Sequence, residues 1–141
     1  KYDFKLSQYN RYREGNDYSI FAIGGVLEEA IKASEILKKD NIAVRVIGVH
    51  TIKPLNKIEI IDAALNTRGI ISIEENNVMG GLGSAIAEIL CNQNIYPNYF
   101  KSIGLNDEYS SIVGSQKYLR DKYKINSETI IDLIREDLKI K

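Results

Sequence analysis

Apolar and polar positions along this chain follow two periods that alternate from one end to the other. Tyr18–Ile23 is a short apolar run of the kind that makes a core strand, and Gly24-Gly25 turns the chain out of it. Across residues 26–39 the period changes: Leu27, Ala30, Ile31, Ser34 and Leu37 recur at helical spacing, opposite a wet face of Glu28, Glu29, Lys32, Glu35 and Lys38. Asp40-Asn41 ends that helix, and residues 43–49 return to a strand. His50-Thr51-Ile52-Lys53-Pro54-Leu55 reads as a loop in which Pro54 holds Lys53 extended. Asn56 stands at the cap of a helix over 57–66, with Glu59 three residues on as in a capping box.

The third strand is the β-branched run at 69–73, which Glu74, Glu75, Asn76 and Asn77 are expected to stop. Gly80, Gly81 and Gly83 then open the backbone, and a helix begins with Ser84. Val78 and Met79, between acids and glycines, are expected to tuck the loop onto the core. Residues 99–103 form a fourth strand, and 113–124 contain a helix with Tyr118, Leu119 and Tyr123 on one side. Asn126-Ser127 caps a last helix whose apolar face is Ile130, Ile131, Leu133, Ile134 and Leu138. Four strand–helix alternations predict an α/β protein. The architecture is a three-layer α/β/α sandwich on a mainly parallel sheet of four to five strands, with right-handed crossovers.

Ahead of this pattern lies a tyrosine-rich stretch with Tyr2, Tyr9 and Tyr12. Residues 2–6 alternate as a short edge strand would, and residues 1–14 otherwise read as a linker or an arm lying on a neighbour. The domain proper is expected over 15–141.

Composition narrows the function classes. The chain has 141 residues, one domain's worth, with 19 basic and 19 acidic side chains. Zero net charge gives no electrostatic reason to expect nucleic acid or an anionic membrane as partner. A lone cysteine, Cys91, excludes an internal disulfide and points to a reducing, cytoplasmic setting. It falls on the apolar side of its predicted helix and is expected to be buried. The first residue is Lys1 rather than Met, so a piece of a longer polypeptide is expected, without a complete active site.

A dinucleotide site needs G-x-G-x-x-G at the first turn and an acid ending the second strand; only Gly24-Gly25 and Gly48-Val49-His50 are there. A phosphate loop lacks its G-K-[ST], and no G-x-S-x-G elbow surrounds Ser84. One His and one Cys make no metal cluster. What remains is the loop of Glu74, Glu75, Asn76, Gly80, Gly81, Gly83 and Ser84, with His50 at another strand end. The amino end of the helix after the glycines offers free N–H groups and a positive dipole, a place for an anion or an interface. The plainer reading has the glycines making a sharp turn, one of the two glutamates capping the loop's N–H groups and the other solvated. His50 is then a loop histidine bonded to backbone. No catalytic, cofactor-binding or metal-binding residue is assigned.

Four ordered motifs resemble one family. Arg13-Glu14-Gly15-Asn16-Asp17 resembles the R-E-G-x-D entry of the transketolase C-terminal domain, and His50 to Leu55 resembles its H-T-I-K-P-L loop. Glu74-Glu75-Asn76 with Gly80-Gly81-Leu82-Gly83-Ser84-Ala85 and Ala87-Glu88 resembles its E-E-H-x-x-x-G-G-L-G-S-A-x-A-E signature. Ile103-Gly104-Leu105, Asp107, Gly114 and Tyr118-Leu119 resemble its closing segment. The departures are Asn76 for the usual His, Asn56 for the usual Asp, and Tyr109 in a loop that lacks the common phenylalanine-glycine pattern. The resemblance implies a thiamine-diphosphate enzyme that moves a two-carbon ketol unit between phosphosugars. The cofactor and its divalent metal are then bound by other domains and not by this chain. The implied partners are the preceding thiamine-binding domains or subunit, within a homodimer or heterotetramer. The domain itself is expected to serve assembly and to be inactive alone. A 1-deoxyxylulose-5-phosphate synthase, a 2-oxoacid dehydrogenase β subunit, or a non-catalytic anion-binding module are the alternatives.

Overall fold

A computed structural model describes residues 9–107 and 111–139; the alternating stretch at 2–6 lies outside them. The elements are β1 (Asn10–Arg13), β2 (Tyr18–Ile23), α1 (Leu27–Leu37), β3 (Val44–Val49), α2 (Lys57–Asn66), β4 (Gly69–Asn77), α3 (Leu82–Asn92), β5 (Tyr99–Leu105), α4 (Gln116–Lys122) and α5 (Ser127–Leu138). They build a five-stranded sheet in the order β1-β3-β2-β4-β5. Strands β2 to β5 run parallel, and β1 is antiparallel to β3. The expected three-layer sandwich on a mainly parallel sheet is what forms.

The strands are apolar because both faces are covered. Successive residues of a strand point to opposite sides. Ile71 and Ile73 join Ile20, Ala30, Leu37, Ile130 and Ile134 in a core under α1 and α5. Ile70 joins Phe21, Ile47, Ile60, Leu82 and Ile86 in a second core under α2 and α3. The chain leaves β2 toward α1 on one face and leaves the adjacent β4 toward α3 on the other. The crevice at the carboxyl ends of β2 and β4 is therefore the sheet's switch point, where open α/β sheets place their ligands.

Several local expectations are corrected. Within the stretch read as an arm, Asn10–Arg13 is an edge strand of the same sheet, locked to α2 by Arg11, whose guanidinium donates to Glu59 at 2.7 and 3.1 Å and to Asp62 at 3.0 Å. That pairing explains why the capping box is only half made. Asn56 Oδ1 accepts the Glu59 N–H at 3.1 Å, but the Glu59 side chain is turned to Arg11. Glu74 to Asn77 do not stop β4; they extend it, and after a register shift Asn77 pairs with Leu105 of β5. Cys91 is exposed, because the buried stripe of α3 is Leu82, Gly83, Ile86 and Leu90 and the next residue is rotated off it. Met79 is 72% exposed and does not tuck inward. The helix expected within 113–124 does form, as α4, and none of its residues is fully buried.

The amino edge of the sheet is closed by a polar network. Buried Tyr18 donates its O–H to Asp137 of α5, and Arg68 Nε donates to both, to Asp137 at 2.7 Å and to the Tyr18 hydroxyl at 3.1 Å. Burial and the neighbouring carboxylate push the Tyr18 hydroxyl well above the usual tyrosine range. The Arg68 guanidinium holds Asp137 below the usual carboxylate range. This end of the domain ties α5 to the sheet.

Candidate functional site at the carboxyl edge of the sheet

The carboxyl edge gathers most of the residues singled out in the sequence. Glu74 and Glu75 follow one another on β4, so they face opposite sides of the sheet. Glu74 turns toward α3 and is fully buried. Its carboxyl group accepts the N–H of Leu82 at 2.9 Å and of Gly83 at 3.2 Å, the first free donors of α3. No side chain at the N-cap position, Gly81, could do this. The place where an external anion would meet this helix start is thus filled by the chain's own glutamate. The dipole and free N–H groups predicted an anion there; the group that accepts them is a carboxyl eight residues back in the sequence.

The glycines make that arrangement possible. Gly80 has φ +78°, a conformation that L side chains rarely adopt. A Cβ on Gly81 would run into the Glu74 carboxyl group. A Cβ on Gly83 would overlap Ser102 Oγ and come within 2.5 Å of Ser72 Oγ, so only glycine lets α3 lie this close to β4 and β5. Ser84 closes the loop on itself: its Oγ accepts the Gly80 N–H at 3.0 Å and donates to the Val78 carbonyl at 2.9 Å. Asn77 Oδ1 accepts the Met79 N–H at 2.8 Å, and its amide donates to Asp107 at 3.2 Å. Asn76 is exposed.

Glu75 turns the other way, toward the switch point. It accepts Arg120 Nε of α4 at 2.8 Å and Gln116 Nε2 at 3.0 Å. The hydrogen bond from Arg120 holds its carboxyl below the usual range. Arg120 Nη2 lies 2.5 Å from where a Cβ of Gly25 would stand, so the guanidinium rests on the glycine turn after β2. Sequence reading did not single out Arg120. Its partner is 45 residues away, and no local spacing signals such a pair.

His50 is exposed at the end of β3 and does not join this group. The edge of its ring meets the Tyr9 ring, with centroids 6.2 Å apart. Tyr9 in turn donates its O–H to the Thr51 carbonyl at 3.1 Å.

The thiamine diphosphate and metal implied by the resemblance do not fit the described residues. Among them, no group of three or more His, Cys, Asp or Glu side chains is placed to hold a metal ion. The start of α3, the donor set after the glycine loop, is already filled by Glu74. No described helix is long and apolar enough to cross a membrane.

Comparison with known proteins agrees with this architecture. Residues 7–130 match the family described as the transketolase C-terminal domain. A 6-deoxy-6-sulfo-D-fructose transketolase subunit from Clostridium sp. is 33% identical over 95% of this chain and 41% of its own length. A protein of Methanocaldococcus jannaschii described as a putative transketolase C-terminal section is 32% identical, over 89% of this chain and 38% of its own. A 1-deoxy-D-xylulose-5-phosphate synthase of Syntrophotalea carbinolica is 34% identical over 89% of this chain and 19% of its own. Among solved structures, one titled "Split gene transketolase, inactive beta4 tetramer" superposes with a TM-score of 0.86 and 29% identity, over 98% of this chain and 44% of that one. The transketolase of Campylobacter jejuni shares the fold, with a TM-score of 0.63 at 13% identity over 92% of this chain and 18% of its own. The chain thus spans less than half the length of these relatives.

Proposed function

The chain belongs to the transketolase C-terminal domain family, and on that premise we propose that it is the C-terminal domain of a transketolase-like enzyme. That enzyme uses thiamine diphosphate and a divalent metal to transfer a two-carbon ketol unit between phosphosugars in the cytoplasm. The cofactor supplies the carbanion chemistry and is bound by thiamine-binding domains or a subunit outside residues 1–141. This domain serves assembly, and alone it turns over nothing.

The observation that carries the reading is the use made of Glu74. The best-buried carboxyl group at the carboxyl edge, under a loop built like an anion cradle, is consumed in capping α3. What the edge then offers outward is shape: exposed His50, Asn76, Met79 and Ser84 on its loops. Such a surface suits a neighbouring domain better than it suits chemistry. The anion-module alternative is disfavoured for the same reason.

The test is the native enzyme purified from its source, with its mass and its bound thiamine diphosphate measured on one sample. A dimer of long chains, or a heterotetramer with a split partner, carrying the cofactor is expected. A free short protein without thiamine, or ketol transfer by residues 1–141 alone, would overturn the proposal. Assay of the full enzyme with pyruvate against a ketose phosphate donor separates a deoxyxylulose-phosphate synthase from a transketolase.

A further inference from the structure

The feature that the assembly role leaves unexplained is α4. It is a helix of seven residues placed across the switch point, yet it buries none of them fully. Beneath it lies a cavity of about 150 Å³ lined by Glu75, Leu105, Leu119, Arg120, Tyr123 and Ile125. This cavity is half open to solvent, and Leu105 and Tyr123 in its wall pack on the core under α1 and α5, so the underside of α4 meets both protein and water. Its attachments are polar and sit at two ends. At the carboxyl end the chain turns through Lys124, with φ +56°, into buried Ile125 and the Asn126 cap of α5, and Asn126 donates to Asp121 at 3.0 Å. Over the crevice, Glu75 holds Arg120 at 2.8 Å and Gln116 at 3.0 Å. The Arg120 side chain is only 11% exposed, so the guanidinium fills the place between the Gly24-Gly25 turn and the end of β4.

We propose that α4 is a hinged cover over the switch-point crevice, latched by Glu75 to Arg120 and Gln116, that opens about the Lys124 turn while the sheet stays folded. A helix this short does not hold itself together without packing. This one buries none of its residues fully and covers a groove half open to solvent. The Glu75–Arg120 pair is part-exposed on the glutamate side, and a single pair of that kind is weak. Opening would bare Glu75, the glycine turn after β2 and the apolar wall of Leu105 and Ile125 in the crevice where ligands of this sheet class bind.

Native-state amide exchange on the whole chain tests this, read residue by residue in α4 and in β4. The expected result is that α4 amides exchange through a local opening, far faster than the amides of Ile71 and Ile73, which wait for global unfolding. Glu75→Gln should raise α4 exchange by about threefold, the scale of one part-exposed ion pair, with β4 unchanged. Arg120→Gln removes the other half of the latch and should do the same. If α4 amides exchange only at the global rate, or if both variants leave α4 unchanged or loosen β4 equally, the cover does not exist.

Discussion

Glu74 and Glu75 are adjacent in sequence, identical in chemistry and opposite in use. Glu74 faces inward, fully buried, and accepts two backbone N–H groups that have no other partner. Glu75 faces the crevice, half-exposed, and accepts two side chains of a loosely packed helix. Strand alternation alone separates them. The first is part of the architecture, since removing it strands two buried donors. The second governs one movable element. Adjacent carboxylates at the end of a strand suggest a catalytic pair, and here they share neither a face nor a partner.

The contrast can be broken by substitution. Glu74→Ala should cost about 3 kcal/mol, because two buried N–H groups lose their acceptor. It should lower the midpoint of chemical unfolding for the whole domain. Gly83→Ala should cost about 2 kcal/mol by lifting α3 off Ser72 and Ser102, again as a global loss. Gly81→Ala is coupled to Glu74, whose carboxyl group occupies the space a Cβ would need. In a double-mutant cycle its cost should therefore shrink when Glu74 is already Ala. If Glu74→Ala unfolds no earlier than the wild type, the inward glutamate is not structural and the contrast fails.

Glu75→Gln should shift global stability by only about 0.5 kcal/mol, given its exposure. Its effect should appear in α4 instead. Acid sharpens the same point. The folded Glu75 carboxyl lies below its ordinary value of 4.5 because Arg120 bonds it. The latch is therefore intact above that value and is lost as pH falls through the folded one. Protection of the α4 amides, taken relative to their intrinsic exchange at each pH, should fall across that acid window in the wild type, and Glu75→Gln should abolish that change. At the amino edge Asp137 behaves likewise, below its ordinary 3.8, and its loss should loosen α5 rather than α4.

Much of this was legible in the sequence, because periodicity reports burial. The strands Tyr18–Ile23, 43–49 and 69–73 and the caps Asn56 and Asn126 follow from local pattern and donor chemistry. One of the two glutamates capping the glycine loop was also readable in outline. Long-range pairing was not. Polar Glu74 to Asn77 continue β4 because β5 supplies partners that no local rule reveals. Asn10–Arg13 becomes a strand because β3 leaves an edge and α2 presents Glu59 and Asp62 to Arg11. Cys91 was misplaced because it is next to Leu90 of the buried stripe, and one residue around a helix is enough to change sides. Arg120 carries no motif, and its importance exists only once β4 and α4 are brought together.

The acceptor at the start of α3 is the chain's own Glu74. Titration of the isotopically labelled chain with phosphate and then pyrophosphate, following the Leu82 and Gly83 amides by nuclear magnetic resonance, tests it most directly. Neither amide should show a saturable shift in the wild type. Saturable shifts at both, with Glu74 in place, would mean that the helix start is open to an external anion and that the loop is a binding site after all.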